Sequence, residues 1–137
     1  MYRAIGAISA VLISVIGALW FMIENRSNDL EQLNRFTAAG NSDAPRMIDS
    51  VTRLESVSVE FPAVVFYYTI LLPEDEIDIE EVEKSNVQWF KSQACSNQQV
   101  VQKVLEPGYK IVQSYQDVSK RHILRLSLGN DICTDNT

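Results

Sequence analysis

The sequence predicts an α+β domain, a mainly antiparallel four-stranded sheet with helices packed on it, preceded by one N-terminal transmembrane helix. Three observations carry this. Ala4 to Ile23 runs for twenty residues without a charge. Segments 54–61, 64–72, 109–116 and 123–128 carry strand patterns, and 79–95 keeps the period of an amphipathic helix. After the membrane segment the order is α-β-β-α-α-β-β. We divide the chain into an anchor or signal segment (1–26), a helix and linker (27–45) and an α+β domain (46–137).

The apolar run, taken as a helix, spans about 30 Å, the thickness of bilayer hydrocarbon. Arg3 and the terminal amine precede it, whereas Glu24 and Arg26 cancel after it. The positive-inside rule then keeps the N-terminus in the cytoplasm and sends the rest across. Trp20 and Phe21 fall where an interfacial aromatic anchor belongs. The rival reading is a cleaved secretory signal, but the stretch from Val15 to Trp20 offers no small-x-small cleavage site. Either reading exports the same domain. Gly6, Ala10, Ser14 and Ala18 recur every four residues and form one small-residue stripe. Such a stripe permits close helix approach in lipid, hence a homodimer or a membrane partner. The bland counterpart is that anchors are rich in Ala, Gly and Ser.

The 137 residues hold 46% apolar and 22% charged side chains, ordinary values for one globular domain. Twelve Lys plus Arg stand against 18 Asp plus Glu, giving net charge −6 and a pI near 4.7. That balance argues against nucleic-acid binding, which needs clustered cations. The residues before Ser27 contribute Arg3, Glu24 and Arg26, net +1, so the exported part carries −7.

Within that part, Asp29 to Ala39 places Leu30, Leu33 and Phe36 on one helix side, and Gly40 is a natural stop. Asn41 to Pro45 reads as a loop. From Leu54, Val57, Val59 and Phe61 alternate with Ser56, Ser58 and Glu60, as in a half-buried strand, and Pro62 marks a turn. Val64 to Leu72 is apolar on both faces, so that strand is expected to be central and covered on both sides. Ile79, Val82, Asn86, Val87, Phe90 and Ala94 keep helical spacing. Ser96 to Gln99 matches a capping box, with Ser96 as the cap of a second short helix. Pro107-Gly108 ends it. Two strands follow, joined by a turn over Asp117 to Lys120.

Cys95 ends the main helix and Cys133 follows the last strand. In an exported domain such a pair most simply forms a disulfide. Closing that loop of about 39 residues is worth roughly 4 kcal/mol in the chain-entropy model. In the cytosol the two thiols would be free. Without Cys-x-x-Cys spacing the pair gives no sign of redox catalysis.

The second half reads Cys95, Val104-Leu105-x-x-Gly108-Tyr109, Tyr115-x-Asp117 and a terminal Cys133. Upstream stand Asp49-x-x-Thr52-Arg53-Leu54-x-Ser56-Val57 and Tyr67-Tyr68-Thr69. In this order the pieces resemble a group of small exported or membrane-anchored bacterial domains of uncharacterised function, over about Asp49 to Cys133. The resemblance implies a paired-cysteine α+β fold and no activity. More weakly, the chain is similar to disulfide-bonded pilotins, periplasmic helpers of secretin assembly. Pilotins are normally lipoproteins, and no cysteine stands directly after the apolar segment here to carry a lipid.

No catalytic constellation is evident. His122, the single histidine, is flanked by Lys120, Arg121 and Arg125, and reads as an exposed turn residue. Zinc spacing, nucleophile elbows and phosphate loops are missing from the sequence, so no metal or cofactor is expected. Seven carboxylates lie between Glu74 and Glu83. Glu74, Asp75, Glu76, Asp78 and Glu80 are candidates for steering a basic partner protein. Calcium is a second reading, without EF-hand form, and a solvated loop before a helix is the bland one. Phe66, Tyr67, Tyr68, Trp89, Phe90, Tyr109 and Tyr115 read as core and half-buried sheet face, or as the lining of a ligand pocket. Trp89, one residue off the helical stripe, is the first of these to test for binding.

The expected function is therefore a non-enzymatic, protein-binding domain in the periplasm, held by a single pass in the bacterial inner membrane and belonging to an envelope assembly. One alternative is a periplasmic immunity-type inhibitor of a basic toxin. Another is a ligand-binding sensor domain, which needs a closed cavity of at least ~300 Å³.

Overall fold

The computed structural model describes residues 29–134. The stripe Gly6, Ala10, Ser14 and Ala18 and the anchor lie outside the described residues. Among the described residues no helix is long and apolar enough to cross a membrane.

The elements are α1 (Asp29–Asn41), β1 (Arg46–Met47), β2 (Thr52–Glu60), β3 (Ala63–Ile70), α2 (Ile79–Phe90), α3 (Gln98–Val100), β4 (Lys110–Gln116), β5 (His122–Leu128) and α4 (Asn130–Thr134). A single 3-10 turn at Glu74–Glu76 precedes α2. Both α2 and α3 widen into π turns, at Lys91–Cys95 and Val101–Leu105. The helical and strand segments lie where the periodicity puts them.

The sheet is mainly antiparallel, as expected, with one strand more than the expected four and one parallel pair. It has five strands in the order β1-β2-β3-β4-β5, and the β3–β4 pair is parallel. Parallel neighbours need a crossover of a dozen residues or more. Here α2 and α3 supply it, carrying the chain from the end of β3 back to the start of β4. The fifth strand, β1, is two residues pairing Arg46 with Leu54 and Met47 with Arg53.

Strand β2 resolves a phase conflict in its own sequence. Leu54 and Val57 are both buried, at 1% and 3% exposure, although three residues apart. Period-two alternation would put them on opposite faces. A bulge between Leu54 and Ser56 inserts Glu55 and brings both to the helix side. Val59 follows onto the core. Phe61 does not: it is 55% exposed and meets Tyr109 edge-on, with ring centroids 5.9 Å apart.

On the helix side of the sheet, Val64, Phe66, Tyr68, Ile70, Ile111 and Leu128 meet Val82, Phe90, Ala94, Val104 and Leu105 in the main core. Tyr68 and Tyr115, neighbours across β3 and β4, stack at 5.1 Å. Asn86 of α2 donates through Nδ2 to the Tyr115 hydroxyl at 3.1 Å, so this buried amide joins helix to sheet. Strand β3 is central, as expected, but its two faces are covered differently. Its second face contributes Ala63 and Val65 to a small cluster with Val112 and Tyr67, made of strand residues alone.

Local chemistry sets the connections. Asp49 Oδ1 accepts from the backbone of Val51 and Thr52 and turns the chain into β2. Asp117 Oδ1 likewise accepts from Ser119 and Arg121. Gly108 ends the α3 segment at φ +108°, where a side chain would be strained. The cap of α3 is Asn97, whose Oδ1 accepts from Gln99 and Val100, not Ser96. Asn and Ser are comparable caps, but the Ser96 hydroxyl is committed to the carbonyl of Ser92 in the preceding π turn.

Asn41 seals one sheet edge. Its Nδ2 donates to the Val57 carbonyl at 2.7 Å and its Oδ1 accepts from the Val57 N–H at 2.8 Å, replacing a neighbouring strand. Gly40 lets α1 come this close, since a Cβ there would lie 3.3 Å from Val57 Cγ2. Replacing Asn41 by alanine should cost about 1–3 kcal/mol, because it orphans two backbone groups. Asn41→Asp, which keeps only the acceptor, should fall between. Urea denaturation midpoints measure both.

Candidate functional site

The expected binding residues divide by local geometry. Pro73 and the 3-10 turn push Glu74, Asp75 and Glu76 outward, and all three are exposed. Ile77, 6% exposed, pins the end of this turn to the core. Asp78 then caps α2, its Oδ1 accepting from the Glu81 N–H at 3.1 Å. Glu80 is exposed in the first helical turn, where negative charge is favoured. Glu81 accepts from the Ser85 hydroxyl at 3.1 Å. The structure thus gathers Glu74, Asp75, Glu76 and Glu80 into one exposed acidic shoulder, with Asp78 also serving as the cap.

Trp89 lies elsewhere. It sits ten residues past Ile79, about 15 Å along the helix, and is half-buried against the core. Of the other aromatic residues, Phe66, Tyr68, Phe90 and Tyr115 are buried, while Tyr67 and Tyr109 are half-buried. An apolar dimple bounded by Ile70, Ile77, Val82, Tyr115 and Leu124 has no room for a water molecule.

Burial raises the pKa of two core phenols. It pushes the Tyr68 hydroxyl well above its ordinary value, and the adjoining Tyr115 adds to this. Burial also raises Tyr115, while the bond from Asn86 draws it back.

The second sheet face carries polar chemistry that the sequence reading missed. Arg53 donates through Nε and an Nη to Glu55, at 2.9 and 3.0 Å. The Thr69 hydroxyl donates to Glu55, and Gln116 Nε2 donates to Thr69 Oγ1 at 2.8 Å. The chain Arg53–Glu55–Thr69–Gln116 therefore crosses strands β2, β3 and β4. The hydrogen bonds from Arg53 hold Glu55 below the usual carboxylate range. Beside it an open concavity of about 370 Å³ is lined by Glu55, Tyr67, Ser114, Gln116, Lys120 and His122. A second, of about 420 Å³, lies toward Phe61, Val65, Lys110, Val112 and Arg125. His122 is exposed at the start of β5, and no hydrogen bond among the described residues joins it to Glu55 or Ser114. The bulge at Glu55 is the signal for this face: the β2 phase slip could have shown that this carboxylate turns to the side opposite Leu54.

The far end of the helical layer is closed covalently. Cys95, in the π turn after α2, is bonded to Cys133 of α4, with Cα atoms 5.3 Å apart. This is the expected pair, and it ties the C-terminal helix to the helical layer.

The sequence matches no protein-family profile and no curated protein. Two solved structures share its fold. The pilotin of the Vibrio vulnificus type 2 secretion system superposes with a TM-score of 0.59 at 14% identity, covering 81% of this chain and 96% of that one. A Pseudomonas aeruginosa protein, provisionally described as secreted, superposes with a TM-score of 0.57 at 16% identity, covering 77% and 95%. At these identities the likeness is one of fold.

Proposed function

We propose that this chain is a membrane-anchored protein of the bacterial envelope whose extracytoplasmic domain binds another protein, without catalysis, as a helper in an envelope assembly. The observation that carries this reading is the fold likeness to a type 2 secretion pilotin, which extends over nearly the whole of that protein. Two features support it: the Cys95–Cys133 bond, which suits an oxidising compartment, and the apolar segment at Ala4 to Ile23. In this reading the segment is an uncleaved anchor that leaves the N-terminus in the cytoplasm and pairs through its small-residue stripe.

The acidic shoulder is the surface we assign to the partner. Glu74, Asp75 and Glu76 are exposed on the turn before α2 and Glu80 in its first turn, and such fields speed encounter with a basic surface. In-cell cross-linking with the anchor intact should recover a distinct protein. Simultaneous Glu74→Lys, Asp75→Lys and Glu76→Lys substitution should cut that yield at least tenfold. Recovery of the chain alone would overturn the reading.

A further inference from the structure

The two edges of the sheet are finished differently. On one side β1 is only two residues long, and Asn41 occupies the backbone of Val57 beyond it. On the other side β5 runs seven residues, His122–Leu128, with β4 as its neighbour. Among the described residues nothing hydrogen-bonds to its outer row of N–H and C=O groups. Unpaired edges template strand addition, and proteins ordinarily blunt them. This fold shortens one edge and covers it, whereas the longer one, bulged at Ile123 where Gln116 pairs with His122 and Tyr115 with Leu124, keeps its outer backbone groups unpaired.

Charge along β5 says what fits there. From Val118 to Asn130 the chain holds Lys120, Arg121 and Arg125 and no carboxylate, although the protein as a whole is net −6. Lys120, Arg121, His122 and Arg125 are all exposed. Arg125 sits at the midpoint of the strand, and its ion pair with Glu60 is long, at 3.8 Å. A second copy of the chain is a poor occupant, because antiparallel pairing of β5 with itself about that midpoint sets Arg125 against Arg125. A strand with carboxylates facing Arg125 and apolar residues on the side of Leu124 and Leu126 is complementary to it.

We propose that the outer edge of β5 is a docking site for an extended acidic segment of a partner protein, which adds as a sixth strand. This rests on the protein-binding reading and names a second surface for it. Val118 N donates to the Leu72 carbonyl at 3.1 Å, so the turn leading into β5 lies beside the end of β3, which runs on to the acidic shoulder. One partner can therefore meet both surfaces.

The test uses the full-length chain in detergent micelles and a blocked peptide, Thr-Val-Glu-Val-Asp-Val-Thr, with Thr-Val-Lys-Val-Lys-Val-Thr as its counterpart. Hydrogen exchange at 122–128 should slow at least fivefold with the acidic peptide and stay unchanged with the basic one. Arg125→Glu should weaken the acidic peptide about tenfold, the effect of turning a cross-strand attraction into repulsion. Arg125→Gln should give an intermediate loss. Unchanged exchange at 122–128 up to the solubility limit of the acidic peptide, or equal protection by both peptides, overturns the proposal. Those results leave the cross-linking experiment standing. A failure of cross-linking alone sinks the protein-binding reading and leaves the peptide result intact.

Discussion

Replacing Cys95 and Cys133 together by serine should lower the stability of this domain by about 2–4 kcal/mol, and reducing the wild-type protein should reproduce the loss. The bond spans 38 positions of sequence, and most of its effect is expected on the unfolded chain, whose freedom it restricts. Its effect on the folded state is local. Helix α4 is five residues long, too short to persist alone, and is held by the bond and by Ile132 against the core. For a domain of this size the loss corresponds to a fall in melting temperature of about 10–20 °C. Thermal melts with and without reductant measure it directly, and the double serine variant should be indifferent to reductant. Equal melting temperatures for wild type and variant would show that the bond contributes nothing.

Alkaline pH should destabilise the fold steeply, beginning near pH 10. Tyr68 is 1% and Tyr115 2% exposed, and burial raises both phenols above their ordinary values. The native state therefore keeps its protons where the unfolded chain, with phenols at about 10, releases them. Below the unfolded value both states are protonated and nothing is lost. Above it, stability falls by about 1.4 kcal/mol per pH unit for each phenol, hence roughly 3 kcal/mol per unit for the pair. Absorbance at 295 nm should show Tyr68 and Tyr115 silent until the protein unfolds, then ionising in one step with it. Tyr115→Phe should halve the slope, although it also frees the Asn86 amide and lowers the starting stability. A smooth titration of every tyrosine with the fold intact would contradict the burial account.

Much of this architecture was legible because its elements are long and periodic. The helical stripe from Ile79 through Val82 to Phe90 reflects burial on one side, which any core imposes, and the alternation over 109–116 marked a strand although β4 is buried on both faces from Ile111 to Tyr115. The disulfide was legible because only two cysteines exist and both sit at element ends. What escaped depends on relations between distant residues. The parallel β3–β4 pairing is set by where the helical crossover returns, which no local pattern records. Strand β1 has two residues and no period, and the edge it leaves is filled by the amide of Asn41, which reads in sequence as a loop residue. The bulge at Glu55 was visible only as a phase slip between Leu54 and Val57.

The candidate site was legible to a similar degree. The charge run marked Glu74, Asp75, Glu76 and Glu80 as exposed, but not that Asp78 also caps α2. Trp89 stood out for lying off the stripe, and the wide surface of the helix nevertheless tucks it against the core. The cations around His122 were seen as flanking residues. That they line the unpaired edge of the sheet is a property of topology that the strand itself does not encode.

The claim beneath all of this is that the described domain lies outside the cytoplasm, in an oxidising compartment. Alkylation of intact cells with a mass-tagged maleimide after rapid acid quenching tests it most directly. The account predicts that Cys95 and Cys133 take up no tag until the sample is reduced, and then take up two. Two tags on unreduced material would mean free thiols in a reducing compartment, and would contradict the account at its base.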